Sequence, residues 1–513
     1  MLKEDEQNLH LVGNKRPKRI IRLGLATVAS SVITIGMAAT ALAQRLPEGV
    51  GPEPVPANQT PLSVSTPAAF VNPSPQWQRP DNSQYNMVIG PAHGLLAPII
   101  GTPLQNWGIN LGLAAQEQYF SNPTEGSHPG VNASVTRIIS DTEVNLDTLF
   151  GIPEARLRLI EIFNTLRLNT GSDAHNSFEL AEGDSNVGNE QYLTKLSNEL
   201  KQFTYEQLFF DDRFDMEAGR LNLKNFMFDG ECDQIYLTCI TDLLSNDTQM
   251  GSGTYGTWGG RFLGNLTPNY YVQLGIEQID PGNKNTHGWS DWNPDRNGDT
   301  AATGPLGAVW MAEIAKKTDF STTPYPVKFE FGGWTENAQH TDAYTGQIDR
   351  QSQGLQIAFT KTFWRADHGQ TNTADVQRLV LDGGAGKTLD HTQIIDNQEY
   401  VGLDLWGFIP SRTFDSIGIK LTRMQVTVDE DRFLAEDRAL AGGVNSFPST
   451  AYYIEADAHI HPTGDDAISI EPDIQYIENP NSIYNPKVKA THSGFIISVD
   501  MVIQIGKLLG LGG

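Results

Sequence analysis

Near its C-terminal end the chain alternates between apolar and polar side chains over two segments of about ten residues. In segment 468–477 one parity holds mainly isoleucine and tyrosine, and the other holds serine, glutamate, aspartate and glutamine. Segment 495–504 repeats the pattern, with Ser498, Asp500 and Gln504 on its polar face. Successive side chains of a β-strand point to opposite faces, so both segments are predicted strands. A tilted strand of this length can cross the hydrocarbon core of a membrane.

The same two-residue period recurs along most of the chain, and about sixteen such runs can be counted. Even strand numbers are typical of bacterial outer-membrane barrels. The runs lie near 107–119, 134–149, 155–168, 192–209, 213–222, 256–266, 269–279, 306–317, 326–335, 353–363, 374–381, 398–408, 415–427, 450–461, 466–478 and 493–505.

The links between the runs alternate between short turns and long polar loops. Short links are found at 151–153, 211–212, 267–268, 410–412 and 462–465, and long ones at 169–191, 223–255, 280–305, 336–352 and 428–449. Transmembrane barrels have short turns at one end and long loops at the other. The predicted fold is therefore all-β: a transmembrane antiparallel β-barrel of about sixteen strands. A soluble antiparallel sheet with one solvated face is the alternative.

Charge and hydropathy exclude two other classes. The 513 residues carry a net charge of −25, which argues against nucleic acid as a partner. They include 97 charged side chains (36 basic and 61 acidic), and the mean hydropathy is slightly negative, which argues against a bundle of membrane helices. Residues 1–43 are predicted to be a cleaved signal peptide, because a basic patch and an apolar run precede Ala41-Leu42-Ala43. Removing them takes away six basic and three acidic side chains, which leaves −28. An uncleaved membrane anchor is the alternative.

The domain organisation follows from these signals. Residues 44–106 hold twelve prolines from Gln44 onward and form a predicted Pro-rich periplasmic leader, with a short helix or hairpin near 87–102. Residues 107–513 form the predicted outer-membrane barrel. Cys232 and Cys239 are the two cysteines of the chain, and export beyond the cytoplasm favours a local disulfide between them.

Several motifs resemble the carbohydrate-selective porin family, typified by the glucose porins of Gram-negative outer membranes. The resemblance spans about residues 92–505 and implies a sixteen-stranded barrel for diffusive sugar uptake. Porin barrels usually end on an aromatic residue, whereas this chain ends Leu511-Gly512-Gly513. The motifs are 470–477 (IEPDIQYI) with Asn479-Pro480, 209–213 (FFDDR) leading to 218–220 (AGR), 266–275 (LTPNYYVQLG), and 107–111 (WGINL) running to 119–122 (YFSN).

A sugar channel needs polar side chains at its constriction, because they exchange hydrogen bonds with the solute's hydroxyl groups. Arginine is the strongest candidate, since its fork binds neighbouring hydroxyls and pairs with carboxylates. A constriction role is therefore expected first for Arg156, Arg158 and Arg220. The other pore-lining candidates by parity are Glu217, Glu277, Asp404, Lys420, Glu455, Asp457, Glu471 and Asp473.

Three further features have a functional and a structural interpretation each. The loop 223–255 could fold inward and narrow the pore, or form a surface loop closed by the disulfide. Segment 291–299 spaces oxygen ligands as calcium loops do but lacks the closing glutamate, so a polar turn is favoured. His459 and His461 are expected to be a lumen residue and a turn residue. No catalytic residue, metal site or cofactor is predicted.

The leading functional hypothesis is an outer-membrane porin giving passive uptake of small neutral carbohydrates or polyols. The alternatives are an outer-membrane barrel enzyme and a secreted, soluble β-sheet carbohydrate-binding protein. The expected partners are outer-membrane lipid and sugars, and a homotrimer is one candidate assembly. The acidic balance predicts faster passage of neutral sugars than of sugar acids, and of cations than of chloride, unless the arginines dominate the constriction.

Overall fold

The structure is a computed structural model of the chain. It describes residues 92, 96–168, 178–185, 198–228, 243–244, 247–248, 250–251, 253, 255–279, 307–349, 351–390, 392–409 and 412–511. The signal peptide, the leader up to residue 91, both cysteines and segment 291–299 lie outside the described residues, so those assignments stay predictions.

Within the described residues, sixteen antiparallel strands form one closed barrel. Each strand pairs with its neighbours in sequence, and β1 closes the ring by pairing with β16 through Ala115 to Ser121. The strands are β1 (Ile109–Ser121), β2 (Asn132–Asn145), β3 (Ala155–Leu168), β4 (Asn198–Phe209), β5 (Phe214–Leu221), β6 (Thr257–Thr267), β7 (Tyr270–Ile279), β8 (Gly307–Lys317), β9 (Val327–Glu336), β10 (Ser352–Arg365), β11 (Arg378–Thr388), β12 (Ile395–Trp406), β13 (Ser416–Val426), β14 (Thr450–His459), β15 (Ile468–Glu478) and β16 (Gly494–Ile503).

This architecture confirms the predicted fold class, and each predicted run corresponds to one strand. Links after even-numbered strands have at most twelve residues, and most links after odd-numbered strands are longer. The barrel therefore has a turn end and a loop end. The loop after β9 also contains a small ribbon of His340–Thr341 paired with Ile348–Asp349.

The two faces of the strands differ as the alternation predicts. In β14, Tyr452 and Ile454 are exposed on the outside, while Tyr453 and Glu455 are buried on the inside. Closing the sheet into a barrel removes its edges, so backbone polar groups are paired and the apolar outer face can meet lipid. Outward aromatic side chains lie near strand ends, where interfacial girdles occur. They include Tyr119, Phe209, Tyr270, Phe363, Trp364 and Tyr452.

The helices are short and lie between or beyond the strands. None of the helices among the described residues is long and apolar enough to cross a membrane. They are a π-helical turn at Ala97–Gly101, α1 (Thr102–Asn106), α2 (Leu146–Phe150), α3 (Phe178–Glu182), a 3-10 turn at Leu223–Asn225, α4 (Val428–Leu440) and α5 (Ile505–Leu509).

The C-terminal residues cover an edge at the turn end. Pairing between β1 and β16 starts only at Ala115, which leaves the first residues of β1 without β16 beside them. Helix α5 packs there, with Gly506 so close to the backbone of Leu113 that a Cβ atom would lie 2.8 Å from its nitrogen. The N–H of Leu96 donates to the carbonyl of Leu509 at 2.8 Å. Covering a strand edge in this way protects it from pairing with other chains.

Candidate channel lumen

The balance of charges on the inner face differs from one part of the barrel wall to another. The wall β2 to β6 mixes cations with carboxylates, whereas the wall β12 to β16 is mostly acidic. Long side chains on neighbouring strands can meet because strands lie about 4.8 Å apart. The inward charged residues are Arg137, Asp141, Glu143, Arg156, Arg158, Lys201, Glu206, Asp215, Glu217 and Arg261 on the first wall, and Asp404, Lys420, Glu455, Asp457, Glu471, Asp473 and Asp500 on the second.

Arg156 and Arg158 lie on β3 and both point into the lumen, as the alternation predicts. The Nη2 of Arg156 donates to Glu206 at 2.7 Å, its Nε also bonds Glu206, and its Nη1 reaches Glu143 at 3.1 Å. Arg158 makes a fork with Asp141 through bonds of 2.8 and 3.2 Å. Arg156 keeps 31% of its side chain exposed, whereas Arg158 is buried. Of this pair, Arg156 is therefore the more accessible to a solute.

The structure separates Arg220 from that pair. Arg220 lies near the end of β5 that leads into the loop. By simple alternation it would point outward with Met216 and not inward with Glu217. Its Nε donates to the carbonyl of Gly256 at 2.8 Å. Its guanidinium carbon lies 5.9 Å from the centroid of the Trp258 ring. These contacts hold the end of the strand and the returning loop together.

Arg261 on β6 bonds side chains of both neighbouring strands, β5 and β7. Its guanidinium group bonds Asp215 at 2.9 Å and Glu217 at 2.8 Å, and its Nη1 donates to Gln273 at 3.3 Å. Glu217 also accepts hydrogen bonds of 2.6 Å from Gln202 and Thr204. A buried arginine of this kind is held by several hydrogen bonds because an unpaired buried charge is costly.

The loop between β5 and β6 runs inside the barrel. The N–H of Leu223 donates to Glu277 of β7 at 2.7 Å, and Glu277 also accepts from Thr257 at 2.6 Å. The N–H of Phe228 donates to Glu313 of β8 at 2.8 Å. Glu277, predicted to line the pore, thus holds this loop against the wall.

Asp247, also in this loop, contacts a second part of the wall, from β10 to β12. Asp247 accepts hydrogen bonds from the N–H groups of Ile394 and Ile395 at 3.1 and 2.8 Å, and from the hydroxyl of Thr388. Ser352 donates to the backbone carbonyl of Asp247 at 2.8 Å. Apolar residues fill the space between loop and wall. They include Leu223, Phe226, Met227, Phe228, Leu243 and Leu244 from the loop and Val309, Met311, Trp334, Ile395 and Met424 from the wall. The described parts of loop 223–255 therefore fold inward, which was one of its two predicted arrangements.

The acidic wall brings together most of the remaining predicted lumen residues. Asp473 lies close to Glu455, and Asp457 and Lys420 are also within electrostatic reach of its carboxyl group. The Nζ of Lys420 lies 5.6 Å from the centroid of the Tyr400 ring. Asp404 also points inward, from β12, which neighbours the strand that carries Lys420.

His459 lies between two carboxylates of this wall. Its nitrogens are 3.5 Å from Asp457 and 3.6 Å from Glu471. The N–H of His461 donates to Asp415 at 2.7 Å in the turn region, so both histidines lie where the sequence predicted them. Among the described residues, no three histidine, cysteine or acidic side chains converge as ligands of a metal ion.

Parity reasoning missed several lumen residues. Arg261 and Asp215 alternate with outward Phe262 and Met216, so the two-residue period could have found them. Arg137 was not recognised as a lumen residue because Val135 and Ile139, on the same inward face, are apolar. Lys201 sits at a β-bulge, where the register with β3 shifts between Ile160 and Glu161 and the period is interrupted.

Comparisons with known proteins agree with this geometry. A family model described as carbohydrate-selective porin, OprB family, matches residues 138–501. Porin B of Pseudomonas aeruginosa is 24% identical over 309 residues, which cover 55% of this chain and 64% of Porin B. The chain thus spans just under two thirds of the length of that curated relative. The high-pH structure of Pseudomonas putida OprB has a TM-score of 0.65 at 18% identity, covering 78% of this chain and 95% of that one.

The matched region extends from β2 to β16, so it contains nearly the whole barrel. The structural likeness supports the barrel fold independently. The resemblance noted in the sequence is confirmed: the chain belongs to the carbohydrate-selective porin, OprB family, and its place is the outer membrane of a Gram-negative bacterium.

Proposed function

We propose that this protein is a passive porin through which small sugars or polyols diffuse. The observation that carries the proposal is the inward loop between β5 and β6, which is fixed against a lumen wall rich in charged hydrogen-bonding groups. A loop that folds inward narrows the lumen of a wide barrel, which favours small solutes over large ones. The polar side chains beside it replace the hydrogen bonds that a sugar gives up when it loses water.

Within this proposal, Arg156 has the clearest contact role. It is the partly exposed arginine of β3, and Glu206 and Glu143 hold its guanidinium group in one orientation. A fixed guanidinium group can donate to two neighbouring hydroxyls at once. Arg158 supports the same wall from a buried position. Arg220 holds the end of the inward loop to β5 through its contacts with Gly256 and Trp258.

No chemical step is part of the proposed function. The family is one of channels, and the rival hypothesis of a barrel enzyme requires a nucleophile that the sequence does not single out. The homotrimer also stays a prediction, which the mass of the detergent-extracted protein tests.

Liposome swelling is the direct test. Proteoliposomes in isotonic glucose or sorbitol should swell faster than empty liposomes, and large oligosaccharides should give no swelling. Protein unfolded by boiling before reconstitution is the matched control. Equal swelling of loaded and empty liposomes in every small sugar would contradict the proposal.

A further inference from the structure

Three loops meet at the loop end of the barrel around a group of buried carboxyls. Glu125 lies in the loop between β1 and β2, and Glu182 and Asp184 lie in the loop between β3 and β4. All three are fully shielded from solvent. The third loop, residues 479–493, packs on both. We call Glu125, Glu182 and Asp184 the carboxyl cluster.

Backbone hydrogen bonds join these loops directly. Gly126 and His492 exchange two bonds of 3.0 Å, and the N–H of Tyr484 donates to the carbonyl of Gly183 at 3.0 Å. Gly126 has φ +92°, and a Cβ atom there would lie 2.5 Å from the Cα of Glu182. Only glycine allows so close an approach in that conformation. The first two loops therefore pack backbone against backbone beside the cluster.

Asp184 has the surroundings of an ionised carboxylate. It accepts hydrogen bonds of 2.8 and 3.0 Å from the hydroxyl of Tyr453 on β14, and one of 2.9 Å from the N–H of Asn481. Its own N–H donates to Glu182 at 3.0 Å. Hydrogen bonds from several donors favour the charged form of a carboxyl group.

Glu125 has the opposite surroundings. Neither of its carboxyl oxygens has a hydrogen-bond partner among the described residues. Burial, together with the nearby charge of Asp184, raises the pKa of Glu125 well above its ordinary value of 4.5. Burial and the charge of Glu125 raise the pKa of Glu182 in the same direction. A buried carboxyl group without donors is far more stable when it holds a proton.

A bound metal ion is the other way to neutralise such a cluster. The described residues do not favour it, because these side chains do not converge as a set of metal ligands. The oxygens of Asp184 are instead directed at Tyr453 and Asn481.

We propose that Glu125 and Glu182 form a proton-binding site which locks the three loops together at the mouth of the barrel. With protons bound, the loops pack as described. When the protons are lost, up to three buried negative charges repel each other and the loops separate. The titratable groups around the site are Glu125 and His128 from the first loop, Glu179, Glu182 and Asp184 from the second, Tyr453 from β14, and Tyr484 and His492 from the third.

The direction of the pH effect follows from linkage. A carboxyl whose pKa is raised by folding keeps its proton in the closed state and releases it in the open state. The packing of the three loops is therefore most stable below the ordinary carboxyl pKa, and it weakens as pH rises towards the raised pKa of the buried carboxyl groups. In that range the opening equilibrium constant rises about tenfold per pH unit for each proton released.

Hydrogen exchange of the full protein in detergent tests the proposal, with rates corrected for the intrinsic pH dependence. Amides in 122–131, 178–185 and 479–493 should lose protection from pH 5 to pH 8 in the wild type. Glu125→Gln keeps the shape of the neutral acid and leaves only Glu182 to release a proton, so its loops should lose clearly less protection at pH 8 than those of the wild type. Glu436→Gln changes an exposed acid on α4 and should behave as the wild type.

Two results would overturn the proposal. One is wild-type-like loss of protection in Glu125→Gln. The other is a rise in unfolding temperature on adding Ca²⁺ to the wild type that is absent in Glu125→Gln, which would make the cluster a cation site. If Glu125→Gln fails to fold, as heat-modifiable gel mobility reports, Glu182→Gln is the second variant. None of these measurements depends on sugar passage.

Discussion

The guanidinium carbon of Arg261 lies 4.5 Å from the centroid of the Phe226 ring, so a wall cation and the inward loop are in direct contact. Gln273 strengthens this contact, because it accepts from Arg261 and donates to the carbonyl of Phe226 at 2.7 Å. Asp215 and Glu217 fix Arg261 from the other side. The position of the loop is thus coupled to the charges of the wall.

Arg261→Lys should loosen this coupling and widen the pore. Lysine keeps the charge but loses the planar fork and the stacking on Phe226, which is worth about 0.5–2 kcal/mol. We expect higher single-channel conductance and entry of larger sugars in liposome swelling. Arg423→Lys is the control, since Arg423 also pairs with a carboxylate, Glu399 at 3.0 Å, but lies on the outer face of β13. Unchanged conductance in a folded Arg261→Lys barrel would disprove the coupling.

Asp247→Ala should release the far end of the inward loop. The substitution leaves the N–H groups of Ile394 and Ile395 without their acceptor, at about 1–3 kcal/mol for each unsatisfied buried group. We expect larger conductance fluctuations and faster proteolysis within 223–255. Asp429→Ala, at an acid of α4, is the comparison variant. If proteolysis of both variants matches the wild type, Asp247 does not anchor the loop.

We expect the carboxylates on the inner face of β12 to β16 to set the ion selectivity of the pore. Carboxylates outnumber cations on β12 to β16, and charges beyond about 8 Å are screened at physiological salt. We expect small cations to pass faster than chloride, and glucose faster than gluconate. Glu471→Gln should lower the cation preference and Arg156→Gln should raise it, because both side chains are partly exposed.

Reversal potentials in a salt gradient measure these changes, and swelling rates compare the two sugars. Anion selectivity in the wild type, or faster gluconate uptake, would mean that the arginines of β3 govern the pore instead.

The disulfide between Cys232 and Cys239 stays a prediction, because both lie outside the described residues. In the sequence they lie between β5 and β6, so a bridge would restrict the conformations of that connection. Mass spectrometry of alkylated, unreduced protein should show no modified cysteine and a mass lower by two hydrogen atoms than that of the reduced, unalkylated form. Two alkylated thiols would refute it.

The alternation of side chains determined the number and the approximate bounds of the strands. This worked because side chains alternate across a strand whatever its neighbours are. It also placed Arg156, Glu455 and Asp473 on the inner face, where the structure has them. Local polarity marked the long loops for a similar reason, since exposed connections need no apolar period.

The partners of each side chain were decided only by the tertiary structure. Arg261 meets Phe226, Asp215 and Glu217 because two strands and one loop come together, and no spacing in the sequence encodes that meeting. The simple alternation of side chains fails at Lys201 because of a β-bulge. It fails at Arg220 because the preceding Gly219 has φ +145°. Likewise, Glu125 and Asp184 become neighbours only where separate loops pack at the mouth. Strand periodicity is a local property, whereas register, closure and loop packing depend on contacts between distant parts of the chain.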